Sequence, residues 1–290
     1  MMTIQYPDQL NLVNTKLVRN QLFELRPLST YLGAEIVGLT FKTLMMPKVF
    51  SRVLEAFIDH QIILFRGLEL SRHHQIQIAH KFGRVQVHVL DQYLHADHPE
   101  IFYITNLDSA GNPSGRHPDP GTLFWHHDGS WLPCPGLAGM IYAEQVPAYG
   151  GETHFCDMYS AFEHLDKDLT NRLMMMEAVH NLDFSRSRRN QYDPLSDKQK
   201  ANIPSVNHPI IRTHPVTRRK CVFLGDHAEY IQNIEYNEGR EFIEYLNKRI
   251  ATNSYKYKHK WQPNDLLVWD NRCLLHRSTE YDTAIEKRVM

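Results

Sequence analysis

"DLLVWDNRCLLHR", Asp265–Arg277, holds two short apolar runs joined by the polar Asp270-Asn271-Arg272, and the second run ends on His276. Apolar runs this short, closed by polar residues, fit buried strands better than helices, which need ten or more residues. The same texture covers the chain from Ile101 onward, where "IFYITNL", "LAGMIYAEQV", "ETHFC", "PIIRT" and "KCVFLG" are separated by Pro and Gly. Short strands broken by turns predict a sandwich or jelly roll. Two helical stretches, "MYSAFEHLDKDLTNRLMMM" and "EGREFIEYLNKRIA", interrupt the pattern and are expected on the outside of the sheets.

Upstream of Ile101 the pattern is mixed. In "PKVFSRVLEAFIDH" Pro47 suits the first helical turn, and Val49, Val53, Leu54, Phe57 and Ile58 share one face. The buried strand "QIILFRG" follows, and Ser71 is placed to cap a helix through "RHHQIQIAHKF" that Gly83 would end in a left-handed conformation. No repeat or low-complexity linker divides the chain, so residues 1–290 are read as one domain, with a mixed part over about 1–100 and a β-rich core over about 101–290. The polar stretch Ser185–Asn207 is long for a loop, which marks either a lid or a solvated excursion.

At 290 residues and 42% hydrophobic, the chain has ample material for a core. Lys plus Arg (32) balances Asp plus Glu (33), so no basic field is available to hold a nucleic acid, and a small-molecule partner is the default. The start "MTIQYPDQLNLVNTK" lacks the basic and apolar regions of a signal peptide, and runs such as "IILF" are too short to cross a bilayer; no membrane association and a cytoplasmic location are expected. Cys134, Cys156, Cys221 and Cys273 show no C-x-x-C spacing and are read as reduced thiols. Apolar helices on the outer surface predict a homo-oligomer, a dimer or tetramer.

The chemistry concentrates in "LFWHHDGSW", Leu123–Trp131, read as a short strand running into a turn. Side chains alternate along a strand, so His126 and Asp128 share a face and His127 points away. H-x-D is a weak signal alone and needs a third ligand, for which His276 is the candidate. Two histidines and one carboxylate on one face of an ion leave the opposite face open, as in non-haem Fe(II) oxygenases. Zinc accepts the same set, although no H-E-x-x-H helix is present, and a hydrogen-bonded core pair is the bland alternative.

Taken together, "WHHDGSW", "GGETHF", "DLLVWDNRCLLHR" and "EKRVM" resemble the TauD/TfdA family of Fe(II) and 2-oxoglutarate-dependent dioxygenases, from about Arg26 to the end. "LRPLSTYLGAEIVGL", "HQIILFRG" and "HKFGRVQVH" are similar to the family's N-terminal half, and "GDHAEYI" and "YKYKHKW" look closer to its aryloxyalkanoate than to its taurine branch. The resemblance implies an α+β, mainly β fold: a double-stranded β-helix (jelly roll, cupin-like) core with flanking α-helices. It implies His126, Asp128 and His276 as iron ligands and catalytic residues. It implies Arg288, twelve positions after His276, as the partner of the distal carboxylate of 2-oxoglutarate, with Thr153 as a second donor. A guanidinium suits that role because it grips a carboxylate through two parallel charge-assisted bonds.

The implied activity is hydroxylation of a small anionic organic substrate with O2, releasing succinate and CO2. Retention of the Asp128 carboxylate favours hydroxylation over halogenation. A non-catalytic iron or 2-oxoglutarate sensor, or a biosynthetic member carrying out desaturation or another oxidation, are the alternatives.

For the substrate, His88 falls where the taurine branch has a contacting histidine. Trp125 and Trp131 are either core or pocket wall, and Arg116, Arg186, Arg188 and Arg189 lie in polar stretches and receive no role. The family commonly continues past Arg-x-Met with His-Arg and a further strand, whose arginine often holds a substrate anion; the sequence stops at Met290, and a missing tail is expected.

Overall fold

The computed structural model describes residues 1–5, 22–189 and 194–290. Of the N-terminal stretch read against a signal peptide, residues 6–16 lie outside the described residues, as do residues 190–193 of the polar stretch Ser185–Asn207.

A seven-stranded sheet forms the centre, in the order Glu24–Pro27, Ala34–Val37, Ile62–Phe65, Leu266–Asp270, Ala138–Tyr142, Met2–Gln5 and Arg84–Gln86. Only Ala34–Val37 and Ile62–Phe65 run parallel. Strands from both ends of the chain therefore share one sheet. Its central strands are buried on both faces, which is why they read as unbroken apolar runs. Alternation divides their side chains: Ile63, Phe65, Met140, Tyr142, Leu266 and Val268 pack with the helices Pro47–His60 and Arg72–Phe82, while Ile62, Leu64, Ile141, Leu267 and Trp269 point to the opposite side.

On that opposite side lies a three-stranded antiparallel sheet, Lys256–His259, Thr153–Asp157 and Leu274–Ser278. Phe155 from its middle strand meets Trp269 with ring centroids 5.5 Å apart. A further sheet, Val206–Pro209, Glu177–His180 and Ala228–Ile231, and a hairpin, Ile211–Thr213 with Lys220–Val222, extend the same core, and the helix Tyr236–Asn253 packs against the outer strand through Ile243, Leu246 and Ile250. The molecule is thus mixed α/β with one large sheet. Among the described residues no helix is long and apolar enough to cross a membrane, and the four cysteines are free.

The helix Pro47–His60 begins at its proline as expected, and Ser71 caps Arg72–Phe82 in a reciprocal box with His74. Gly83 does not take the left-handed conformation anticipated: its φ of 163° is extended, because the chain passes straight from the helix into the strand Arg84–Gln86. A left-handed residue ends the preceding helix, Pro47–His60: Gln61, φ 65°, donates its N–H to Phe57 O at 2.9 Å. The stretch read as one helix after Asp157 is two, Met158–Glu163 and Lys167–Leu173, because Asp166 accepts from Leu169 N–H at 2.8 Å and starts the second. The polar stretch carries the end of the helix Leu182–Ser187 and the whole of Asp197–Asn202, which Ser196 and Gln199 cap reciprocally.

Candidate metal centre and cavity

The segment that carries His126 and Asp128 is not a strand. A 3-10 turn, Pro120–Leu123, precedes it, and a turn through Gly129 (φ 62°) follows. Between them one bridge joins His126 to His276, each N–H donating to the other's C=O at 3.0 Å. That bridge sets the two imidazoles side by side, with centroids 4.2 Å apart. Asp128, two residues on, reaches the same point: its Oδ1 lies 3.7 Å from His126 Nε2 and 3.5 Å from His276 Nε2. One ligand atom from each of the three lies within 4.8 Å of the others, and all three residues are buried. His127 turns the other way, stacks on Phe223 at 4.3 Å and pairs its Nδ1 with Asn271 O at 2.9 Å. The alternation expected of a strand holds without the strand.

The protonation states suit an ion. His126 Nδ1–H donates to Phe124 O at 2.7 Å, which leaves the Nε2 lone pair facing Asp128. Burial, with the nearby His276, lowers the His126 pKa to about 4, so the ring is neutral at pH 7. For Asp128, burial acts upward, but His276 and His126 outweigh it and hold the carboxyl below its usual value. Asp128 Oδ2 and His276 Nδ1 are buried and find no hydrogen-bond partner among the described residues. The atoms that converge are the other ones, Asp128 Oδ1 and the two Nε2 atoms, a set of one oxygen and two nitrogens suited to a divalent cation.

Room for Asp128 depends on Gly139. A Cβ there would lie 2.1 Å from Trp269 Cζ2 and 2.7 Å from Asp128 Oδ2, closer than carbon or oxygen tolerates. Among the described residues a second group, His214, Asp270 and Cys273, also lies within ligand distance. Its donors and acceptors are spent: His214 Nδ1 accepts from Val216 and Thr217 N–H, its Nε2 pairs with Asp270 Oδ2 at 3.1 Å, and Arg272 occupies both Asp270 oxygens. It is a structural knot, with Asp270 held at a pKa of about 2: Arg272 and His214 overcome the upward push of burial.

His126 and Asp128 open onto a cavity of about 510 Å³, part of it open to solvent. Its wall includes His88, Trp131, Phe102, Leu90, Arg186 and Arg189. His88 thus shares this cavity with His126 and Asp128; its Nδ1 accepts from Leu90 N–H at 3.1 Å, and burial lowers its pKa to about 4, so the neutral ring carries its hydrogen on Nε2. Trp131 lines the cavity and packs edge-on to His88 at 5.4 Å, whereas Trp125 lies under the Arg277 guanidinium, 5.1 Å away. Arg186 and Arg189, given no role from sequence, arrive at the cavity because the helix Leu182–Ser187 covers it. Arg189 is ion-paired with Asp226.

Thr153 and Arg288 are not among the residues that line this cavity. In the register of Thr153–Asp157 with Leu274–Ser278, His276 pairs with Phe155 and Ser278 with Thr153, so these four side chains face one way. Ser278 Oγ is 2.8 Å from Thr122 Oγ1, a cavity residue. Thr153 Oγ1 accepts from Trp261 Nε1 at 3.0 Å, which leaves its own hydroxyl hydrogen to donate. Arg288 is held by its backbone, N–H to Asn106 Oδ1 at 2.8 Å and C=O from Asn106 N–H at 3.3 Å. Its buried guanidinium lies against Gly151, and Nε has no acceptor among the described residues. Burial lowers its pKa to about 10, which keeps it charged at pH 7.

Sequence reasoning passed over Asn271, which holds the ligand loop in place. Its Oδ1 accepts from Asp128 N–H at 2.7 Å, and its Nδ2 donates to Asp128 O at 2.8 Å and Gly136 O at 3.0 Å. The available signal was a buried-strand end followed by a lone asparagine, too common to single out.

Comparison with known proteins gives a consistent result. The family described as "Taurine catabolism dioxygenase TauD, TfdA family" matches residues 24–290. The alpha-ketoglutarate-dependent 2,4-dichlorophenoxyacetate dioxygenase of Cupriavidus pinatubonensis is 32% identical over 82% of this chain and 86% of its own length. The (S)-phenoxypropionate/alpha-ketoglutarate-dioxygenase of Sphingobium herbicidovorans is 28% identical over 92% of this chain and 93% of its own length. The crystal structure of AAD-2 in complex with Mn(II) and N-oxalylglycine superposes with a TM-score of 0.75 at 26% identity, covering 92% of this chain and 95% of that one.

Proposed function

The chain belongs to the TauD/TfdA family and is a 2-oxoglutarate-dependent non-haem iron dioxygenase, and on that premise we propose that it hydroxylates a small carboxylic acid of aryloxyalkanoate type, converting 2-oxoglutarate and O2 to succinate and CO2. The observation that carries this reading is the convergence of His126 Nε2, His276 Nε2 and an Asp128 oxygen on one point beside a cavity. In this reading these three residues hold Fe(II). Bound there, the metal supplies activation of dioxygen against the 2-oxo acid. The neutral His126 ring, with its Nε2 lone pair turned to Asp128 Oδ1, supports the fit.

The chain's own residues do the rest. Phe124 O fixes His126 with its hydrogen on Nδ1, and Asn271 fixes the Asp128 peptide, so the ligands are set before any ion arrives. Arg288 and the Thr153 hydroxyl grip the distal carboxylate of the cosubstrate. Trp131, Phe102 and Leu90 hold an apolar body and exclude water beside the ligands, and the charge of Arg186 favours an anion. The names of the two enzyme relatives, which act on aryloxy acids, agree with that mixture of aromatic wall and cation. We read the large sheet and the Thr153–Asp157 sheet, meeting through Trp269 and Phe155, as a double-stranded β-helix core with flanking helices.

The test is to supply Fe(II), 2-oxoglutarate and O2 with a panel of aryloxyalkanoic, sulfonic and amino acids and to assay succinate and hydroxylated product together. Succinate matched by product from an aryloxy acid is expected. Turnover confined to sulfonic or amino acids would overturn the substrate class.

A further inference from the structure

Around Arg288 the structure buries more polar groups than the described protein satisfies. Both ring nitrogens of His117, the Tyr281 hydroxyl and Arg288 Nε are sealed from solvent and form no hydrogen bond of ordinary geometry. The Asp119 backbone lies near the His117 ring without satisfying it. The three side chains pack together: the His117 and Tyr281 rings are 5.8 Å apart, and the Arg288 guanidinium carbon is 5.9 Å from the Tyr281 ring. A buried polar group left unpaired is costly, so several of them packed around one guanidinium point to a ligand that completes them.

The cluster adjoins the metal centre along the chain. His117 opens the loop that continues through Asp119, Gly121 and Thr122, all on the cavity wall, and Thr122 meets Ser278 two residues beyond His276. We propose that His117 and Tyr281 are 2-oxoglutarate-binding residues that, with Arg288 and Thr153, enclose the distal carboxylate of the cosubstrate and set its chain length. This rests on the dioxygenase reading above. A carboxylate has about four acceptor sites. The Arg288 fork and the Thr153 O–H take three, the Tyr281 O–H takes the fourth, and a His117 N–H shares an oxygen with one of them. Burial raises the Tyr281 pKa, which keeps the phenol protonated, and burial with the Arg288 charge lowers that of His117 to about 4, so the ring is a neutral donor at pH 7.

The experiment is calorimetric titration of the full-length, Mn(II)-loaded protein with 2-oxoglutarate, and separately with pyruvate, which has the 2-oxo acid head and no distal carboxylate. Tyr281→Phe removes one buried oxygen, and His117→Phe keeps the ring volume without its nitrogens; His117→Gln restores a donor. Each Phe variant is expected to weaken 2-oxoglutarate about tenfold, the size of one hydrogen bond to a charged group. Pyruvate and Mn(II) affinities are expected to be unchanged, and the Gln variant to recover part of the loss. Unchanged 2-oxoglutarate affinity in both Phe variants, or equal weakening of pyruvate, would overturn the assignment while leaving the dioxygenase reading intact. Failure of the wild-type, metal-loaded protein to bind 2-oxoglutarate would overturn both.

Discussion

Asn271 holds the Asp128 peptide from both sides, accepting from its N–H at 2.7 Å and donating to its C=O at 2.8 Å. A side-chain amide thereby does for a turn what a neighbouring strand does for a ladder, and the ligand loop needs no sheet of its own. Asn271→Ala strands both backbone groups in a buried site. It should cost roughly 2–4 kcal/mol of stability and weaken metal binding about 10- to 100-fold. Denaturant unfolding with a parallel Mn(II) titration checks both; stability lost with metal affinity intact would separate Asn271 from the centre.

Gly139 is the floor under Asp128 and Trp269. Gly139→Ala places a methyl group against both, at 2.7 Å and 2.1 Å from their nearest atoms, and is expected to cost about 1–3 kcal/mol and to weaken metal binding. Adding Trp269→Phe should recover part of the metal affinity, because the smaller ring makes room. A double-mutant cycle that is strictly additive would contradict the shared contact.

Acid should destabilise the metal-free protein earlier than carboxylate titration alone would. Burial lowers His88, His117 and His126 to about 4 and His127 to about 3, from an unfolded value of 6.5. Folded values below the unfolded value mean that the unfolded chain binds more protons in that window. The stability is therefore complete above 6.5 and lost as pH falls toward 4, on the order of 2 kcal/mol per fully buried histidine by about pH 5. Urea midpoints measured from pH 8 down to 5 should fall steeply below about 6.5; a flat profile there would contradict the buried neutral rings.

Arg186 and Trp131 both line the cavity. Arg186→Met keeps much of its apolar stem and removes the charge, so KM for an aryloxy acid should rise about tenfold or more while the Kd for 2-oxoglutarate stays fixed. Equal changes for a neutral analogue of the same acid would show that charge is not what the residue contributes.

Much of this architecture was legible in the sequence, for physical reasons that also explain the gaps. Helix Pro47–His60 carries its period and its first-turn proline locally, and the strand Leu266–Asp270 is an unbroken apolar run up to Asp270, so both read correctly. His126, Asp128 and His276 are read as a set through alternation and family resemblance, and the structure brings them within ligand distance of one another. The strand expected at His126 fails because a 3-10 turn and Gly129 leave room for one bridge only. Ser196-Asp197-Lys198-Gln199 was a readable capping box inside a stretch taken as loop. Asn271 was not readable, since it acquires its meaning from a residue far along the chain; Asn271 and Asp128 are 143 positions apart.

The central claim is tested most directly by the visible absorption of the anaerobic protein loaded with Fe(II) and 2-oxoglutarate. The account predicts a weak metal-to-ligand charge-transfer band in the wild type that is diminished in both Asp128→Ala and Arg288→Ala. A folded, iron-loaded wild type without the band, or a band of equal strength in both variants, would contradict it.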